Sequence, residues 1–209
     1  MMPHDGEQLA GLDALNPPEE FGGRSIVEVL DEEHRELDKL MVELMAGETE
    51  PERRAKVATI FTAALSRHLS AEEQDLYPTA RSVLPNGKSL ADTEIAEDTA
   101  TLRELMALES TDVAAPEFDS LLARLDARLQ RHTHVVGAQM LPELEQHVTR
   151  EKLVRLGNRV AMDNEAAPTR PHPSTPSRPP WNWMVDPAMG AIDKVRDAMA
   201  GRKVYPEDL

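Results

Sequence analysis

The stretch VATIFTAALSRHLSAEEQDLYP, residues 57–78, decides the fold. Val57, Phe61, Leu65, His68, Glu72 and Leu76 recur in steps of four and three, the spacing of one helix face. The apolar members predict that this face is turned to a core. His68 and Glu72, four residues apart, share the face, so the stripe that builds the core also carries an imidazole and a carboxylate. Glycine is scarce and β-branched residues do not cluster, which leaves no support for strands.

The same periodicity extends to both sides. Ser25-Ile26-Val27-Glu28 is a capping-box pattern, and the first helix runs from it to about Ala46, stopping at Gly47. Its seam is Val27, Leu30, His34, Leu37, Met41 and Leu44. Thr49-Glu50-Pro51-Glu52 opens the second helix, which reaches about Ser82 with a bend at Pro78. After the turn Leu84-Pro85-Asn86-Gly87, a third helix covers about Ser89 to Glu109, with Ile95, Thr99, Leu102 and Met106 on one face. A fourth covers about Glu117 to Val148, with Phe118, Leu122, Leu125, Leu129, His132, Val136 and Met140 on its seam. A shorter fifth follows Thr149 as a cap, from Arg150 to about Asn164.

Four long helices with short connections predict an all-α, up-down-up-down four-helix bundle. The expected organisation is a flexible arm over 1–24, a bundle with its fifth helix over 25–165, a Pro-rich linker over 166–185, and a C-terminal helix and tail over 186–209. The linker reading rests on Pro168, Pro171, Pro173, Pro176, Pro179 and Pro180. The short amphipathic helix opens at Asp186-Pro187, and Trp181, Trp183, Met184 and Val185 form an apolar cluster expected to dock on the bundle.

Composition excludes whole classes. The 209 residues carry 38 acidic and 23 Lys or Arg side chains, a net charge of −15. A chain so acidic is not built to neutralise phosphate, and an anionic membrane repels it, so neither nucleic acid nor membrane is an expected partner. The chain has no cysteine, which removes disulfides, thiolate metal sites and thiol catalysis. No apolar run spans a bilayer and the N-terminus lacks a signal-peptide pattern; a cytoplasmic location is expected.

Three of the four seams carry a histidine near mid-length, and the second adds Glu72. Burying these groups is costly unless they are paired or coordinated. A lone histidine on an apolar face is ordinarily a hydrogen-bonded core residue. Three on separate seams, with His68-x-x-x-Glu72, set a metal site beside that reading; imidazole and carboxylate suit iron, manganese or zinc. The other histidines read as ordinary: His4 and His172 in flexible segments, His134 turned outward, His147 solvated near a helix end. Asp31-Glu32-Glu33 reads as a solvated face.

At these residues the chain resembles the hemerythrin-like, HHE cation-binding family. Asp31-Glu32-Glu33-His34-Arg35-Glu36-Leu37 resembles the family's first-helix motif, and Arg67 through Pro78 its second. His132 through Pro142 resembles the fourth, with the same histidine-to-proline spacing of ten as His68 to Pro78. The resemblance spans roughly residues 25–148 and implies a four-helix bundle that usually holds two oxygen-bridged irons. It implies metal-ligand roles for His34, His68, Glu72 and His132. Two positions depart from the pattern: Thr99 stands where the third helix supplies a histidine, and Val136 where the fourth supplies a carboxylate. The expectation is a reduced site holding non-haem iron, one ion in preference to two, with zinc or manganese as the other metals. The expected ligand is dioxygen, nitric oxide or peroxide, in a sensor or binding role ahead of a dedicated enzyme. The other reading is a bundle that has lost its metal and serves as an interaction or regulatory module. Neither Glu97 nor Asp98 falls squarely on the inner stripe as read here.

Overall fold

The computed structural model describes residues 22–46, 50–174 and 181–209, and every regular element among them is helical. Residues 1–21 of the expected arm, and Gly47 and Thr49, lie outside the described residues. The first rod is α1 (Ile26–Met45). The second is α2 (Pro51–Ala71), a π-helical turn (Glu72–Leu76) and α3 (Tyr77–Val83). The third is α4 (Gly87–Glu109), two residues earlier than expected. The fourth is α5 (Pro116–His132), a π-helical segment (Thr133–Met140) and α6 (Leu141–His147). Then come α7 (Arg150–Ala166), α8 (Trp181–Ala200) and a 3-10 turn (Pro206–Asp208). No described helix is long and apolar enough to cross a membrane.

Local chemistry sets these boundaries. Ser25 Oγ accepts from the Glu28 amide at 3.2 Å while Glu28 Oε2 accepts from the Ser25 amide at 2.7 Å, the reciprocal cap expected for α1. Thr149 Oγ1 caps α7 through the Lys152 amide at 3.4 Å. Pro78 and Pro142 have no amide hydrogen, and each crowds the carbonyl one turn back. In both rods the residue before the proline donates five residues back, Tyr77 to Glu72 and Leu141 to Val136. The widened turn absorbs the proline where a regular helix would kink or break.

The core has two apolar layers. One, rich in leucine and phenylalanine, includes Leu37, Met41, Leu44, Phe61, Leu65, Phe118, Leu125 and Leu129. The other includes Leu30, Leu76, Tyr77, Val136, Met140, Leu144, Leu153 and Val160. Each fully buried large side chain, such as Phe61 or Leu30, stabilises the fold by roughly 1.5–3 kcal/mol. Along three of the rods the sequence passes from one layer to the other: Leu30 to Leu37 in α1, Leu65 to Leu76 in the second rod, Leu129 to Val136 in the fourth. Among the residues between them are His34, His68, Glu72 and His132. A polar layer therefore splits the core.

The inner stripe of α4 is a correction. Ala91, Glu94, Asp98, Thr101, Leu105 and Leu108 are buried, whereas Met106 is 45% exposed and Ile95, Thr99 and Leu102 are only partly buried. The expected face is rotated by one residue, about 100°. Apolar periodicity misleads here because α4 turns two carboxylates inward and leaves a methionine outside.

The fifth helix, α7, packs against α1 and α2. Gly157 permits its close approach: a Cβ there would lie 2.2 Å from the Arg24 carbonyl oxygen. Beyond α7, the start of the Pro-rich stretch is packed in place. Thr169 is buried and donates to Asp197 of α8 at 2.5 Å, and Arg170 pairs with Glu109 of α4 and Asp197 of α8. His172, expected in a flexible segment, lies 2.9 Å from Asp193. α8 begins at Trp181, five residues before the expected Asp186, and contains Pro187. The expected docking of the tryptophan cluster concerns side chains outside the described residues.

Candidate metal centre

Three rods bring four side chains to one point. His34 comes from the middle of α1, His68 from the last turn of α2, Glu72 from the first residue of the π-helical turn and His132 from the last residue of α5. All four are buried, Glu72 completely. One ligand atom from each lies within 4.8 Å of the others. His68 Nε2 is 3.2 Å from His132 Nε2 and 3.3 Å from Glu72 Oε1. His132 Nε2 is 3.3 Å from Glu72 Oε2, and His34 Nε2 is 3.9 Å from Glu72 Oε1. The three imidazoles meet edge to face, with centroids 4.7–5.4 Å apart. Neither nitrogen of His34 has a hydrogen-bond partner among the described residues.

A second ring of groups fixes the first. Glu33 Oε2 lies 2.8 Å from His68 Nδ1, which leaves Nε2 to face the cluster. Glu33 is itself held by Asn164 of α7, whose amide donates to Oε1 at 2.6 Å. The Tyr77 hydroxyl lies 3.0 Å from Glu72 Oε2 and 2.7 Å from Asp98 Oδ2. Asp98 Oδ1 is 3.9 Å from His132 Nδ1. Behind His34 the π-helical segment places Gly137, where a Cβ would come within 3.3 Å of Nδ1; the missing side chain leaves the ring its space.

Without a metal, charge is distributed unevenly. Burial, reinforced by the charge of His68, pushes His34 down to about 3, so it is neutral near pH 7. Burial also opposes charge on His68, but the carboxylates of Glu72 and Glu33 outweigh it and push the group up to about 10. His132 is raised in the same way, burial being overcome by Glu72 and Asp98. Burial works against the Glu72 anion too, yet His132 and His68 hold it well below the usual carboxylate range. Burial pushes Asp98 up to about 7 against the pull of His132. The Glu72 carboxylate thus favours a proton on His68 and His132, while burial keeps His34 neutral.

The structure brings together all four residues singled out in the sequence. Thr99 takes no part: its hydroxyl donates to the Ile95 carbonyl at 2.9 Å. Val136 is buried but offers no donor atom. In place of Thr99 its neighbour Asp98 faces inward, contrary to the stripe expected for α4. Glu33 was expected on a solvated face and instead orients His68; a seam-flanking residue next to a histidine carries no signal that separates it from Glu32. His134 and His147 are exposed, as expected. Asp31 is half-buried, which raises its carboxyl, and stands outside the cluster.

Comparison with known proteins agrees with this helical fold. The family model described as the hemerythrin HHE cation binding domain matches residues 25–144. An uncharacterized hemerythrin-like protein of Schizosaccharomyces pombe (strain 972 / ATCC 24843) is 29% identical over 140 residues, 66% of this chain and 69% of that protein. A crystal structure of a hemerythrin HHE cation binding domain-containing protein from Mycobacterium kansasii matches with a TM-score of 0.59 at 21% identity. It covers 68% of this chain and 86% of that one, and shows the shared fold.

Proposed function

The chain belongs to the hemerythrin HHE cation binding domain family, and from that membership we propose that His34, His68, Glu72 and His132 hold a single metal ion, with non-haem iron as the favoured occupant. The observation that carries the reading is His34. A buried imidazole with both nitrogens unpartnered, 3.9 Å from a buried carboxylate, is costly as it stands and is relieved by a cation between them. Separations of 3.2–3.3 Å among the other donor atoms match the edges of a coordination shell with bonds of about 2.0–2.2 Å. Charge agrees as well: Glu72 favours positive charge on His68 and His132, and a bound cation supplies positive charge at the same place.

The donor set of neutral imidazole and carboxylate suits iron, manganese and zinc. Bound there, ferrous iron supplies open coordination positions for a small ligand, dioxygen, nitric oxide or peroxide. The chain's own residues do the rest. Glu33 fixes the tautomer and the orientation of His68. Tyr77 holds one oxygen of Glu72. The apolar layers on either side keep bulk water away and strengthen every charge interaction in the site. Among the described residues the cluster is enclosed by apolar layers, which suits a small diatomic ligand or peroxide in a binding or sensing role ahead of a dedicated enzyme.

A second reading, a metal-free interaction or regulatory module, draws on Val136 and Thr99 and on the way Glu72 pairs with two histidines. It leaves His34 unexplained. The test is anaerobic loading with ferrous iron followed by nitric oxide, read by electron paramagnetic resonance. A high-spin iron–nitrosyl signal at one per chain is expected. Absence of the signal, with no iron retained after desalting, sinks the reading.

A further inference from the structure

A cavity of about 250 Å³ lies between α1, α2 and the C-terminal segment, with Tyr205 and Pro206 on one side of it. That segment is firmly seated. Val204 is buried, Leu209 packs against the leucine-rich core layer, and Lys203 and Tyr205 each have further partners. The space is therefore preformed, as binding cavities usually are. Exposed Glu36 stands in its wall and Tyr205 is 38% exposed, so it communicates with solvent.

Two opposite charges line this space without pairing. Arg67 of α2 is only 8% exposed. Its Nη2 donates to the Val204 carbonyl at 3.2 Å, and its guanidinium lies 4.8 Å from the centre of the Tyr205 ring. These contacts fix the group in place, but neither supplies a counter-ion. Among the described residues Nη1 has no hydrogen-bond partner, and Arg67 forms no ion pair. Burial disfavours its charge, which Tyr205, Glu33 and Glu207 offset in part. A buried cation left in this condition is costly. Glu36 of α1 lines the same cavity and is also without an ion pair among the described residues. Glu33 and His68, the other charged groups of the wall, are engaged with each other, and Asn164 holds the second oxygen of Glu33. The remaining wall is aliphatic, with Leu37 and Leu40 from α1 and Ala64 from α2.

We propose that this cavity binds a small zwitterion of the amino-acid class, its carboxylate on Arg67, its ammonium toward Glu36 and an aliphatic side chain against Leu37, Leu40 and Ala64. A simple anion meets the carboxylates of the wall, and a simple cation meets Arg67. A molecule carrying both signs is matched at both ends. The planar guanidinium, held by Val204 and Tyr205, presents the fork that a carboxylate fits. Because the roof is already in place, little ordering opposes binding. The proposal does not depend on the metal.

The experiment is a nuclear magnetic resonance titration of the full, chelator-treated chain with free L-leucine. Parallel titrations use 4-methylpentanoate, which lacks the ammonium, and 3-methylbutylamine, which lacks the carboxylate. The chain has two tyrosines. Tyr205 lines the cavity and Tyr77 is completely buried outside it, so the Tyr205 ring signals report occupancy. Leucine is expected to bind about tenfold more tightly than either fragment, a factor that one lost charge-assisted contact accounts for. Arg67→Gln should lower leucine to the affinity of the amine, and Glu36→Gln should lower it to that of 4-methylpentanoate. Helix content and melting temperature confirm that both variants fold. A Tyr205 ring unmoved by leucine, a fragment that binds as tightly as leucine, or leucine affinity unchanged in both folded variants overturns the proposal. The comparison of the three probes on the wild type decides the matter even if a variant fails to fold.

Discussion

Replacing Glu72 by leucine separates a metal centre from a self-paired polar core. Glu72 is completely buried, lies 3.3 Å from both His68 and His132, and is 3.0 Å from the Tyr77 hydroxyl. If it is a ligand, the wild type gains stability from any metal that binds only the folded chain. At a free metal concentration a thousandfold above the dissociation constant the gain is about 4 kcal/mol. In a chain of 209 residues that moves the melting temperature by roughly 8–16 °C. Glu72→Leu removes the one anionic ligand, so its melt should be the same with and without chelator and should fall below that of the metal-loaded wild type by at least this amount. Calorimetric melts of both chains, each with metal and with chelator, give the four curves required. On a metal-free account the buried carboxylate is a cost relieved only by the histidines, and an apolar replacement of similar size is near neutral or stabilising. A wild-type melt unmoved by chelator, with Glu72→Leu at least as stable, would refute the coordination argument.

Further outcomes follow from the surrounding groups. Glu33→Ala frees the His68 ring and should weaken metal binding by about 10- to 100-fold with little loss of helicity; equilibrium titration against a competing chelator measures it. Metal binding should release protons, about one from His68 and most of another from His132 at pH 6.5, and none from His34, whose group sits at about 3. Isothermal titration in buffers of different ionisation enthalpy counts them. For the metal-free chain, His68 is raised above its unfolded value, so its contribution to stability is complete below about pH 6.5 and is lost as pH rises toward 10. Melts of the chelated protein should therefore decline across that window. Gly157→Ala drives a methyl into the Arg24 carbonyl and should cost about 1–3 kcal/mol; chemical denaturation reads the loss.

The sequence carried the four-rod plan and the four cluster residues because each of three seams interrupts an apolar heptad pattern with a titratable side chain. That interruption is a local signal. What it could not carry depends on how rods rotate against one another. α4 is polar on its inner face, so the apolar pattern pointed to Thr99 where the structure turns Asp98 inward. Glu33 lies beside the seam, and only the approach of His68 from α2 and Asn164 from α7 gives it a role. Pro78 announced a bend, but the π-helical turn, which sets the depth of Glu72, comes from the register in which the helix accommodates that proline. The C-terminal segment read as a separate tail because prolines precede it; its attachment through Arg202, Val204 and Tyr205 depends on Glu109 and Arg67, far away in sequence.

Metal stoichiometry tests the central claim most directly. Elemental analysis of protein purified without a histidine tag from iron-supplemented cells should give one ion per chain, lost when His34 or His68 is replaced by alanine. Two irons per chain with an oxo-bridge absorption band, or no metal in the wild type under conditions that load other iron proteins, would contradict it.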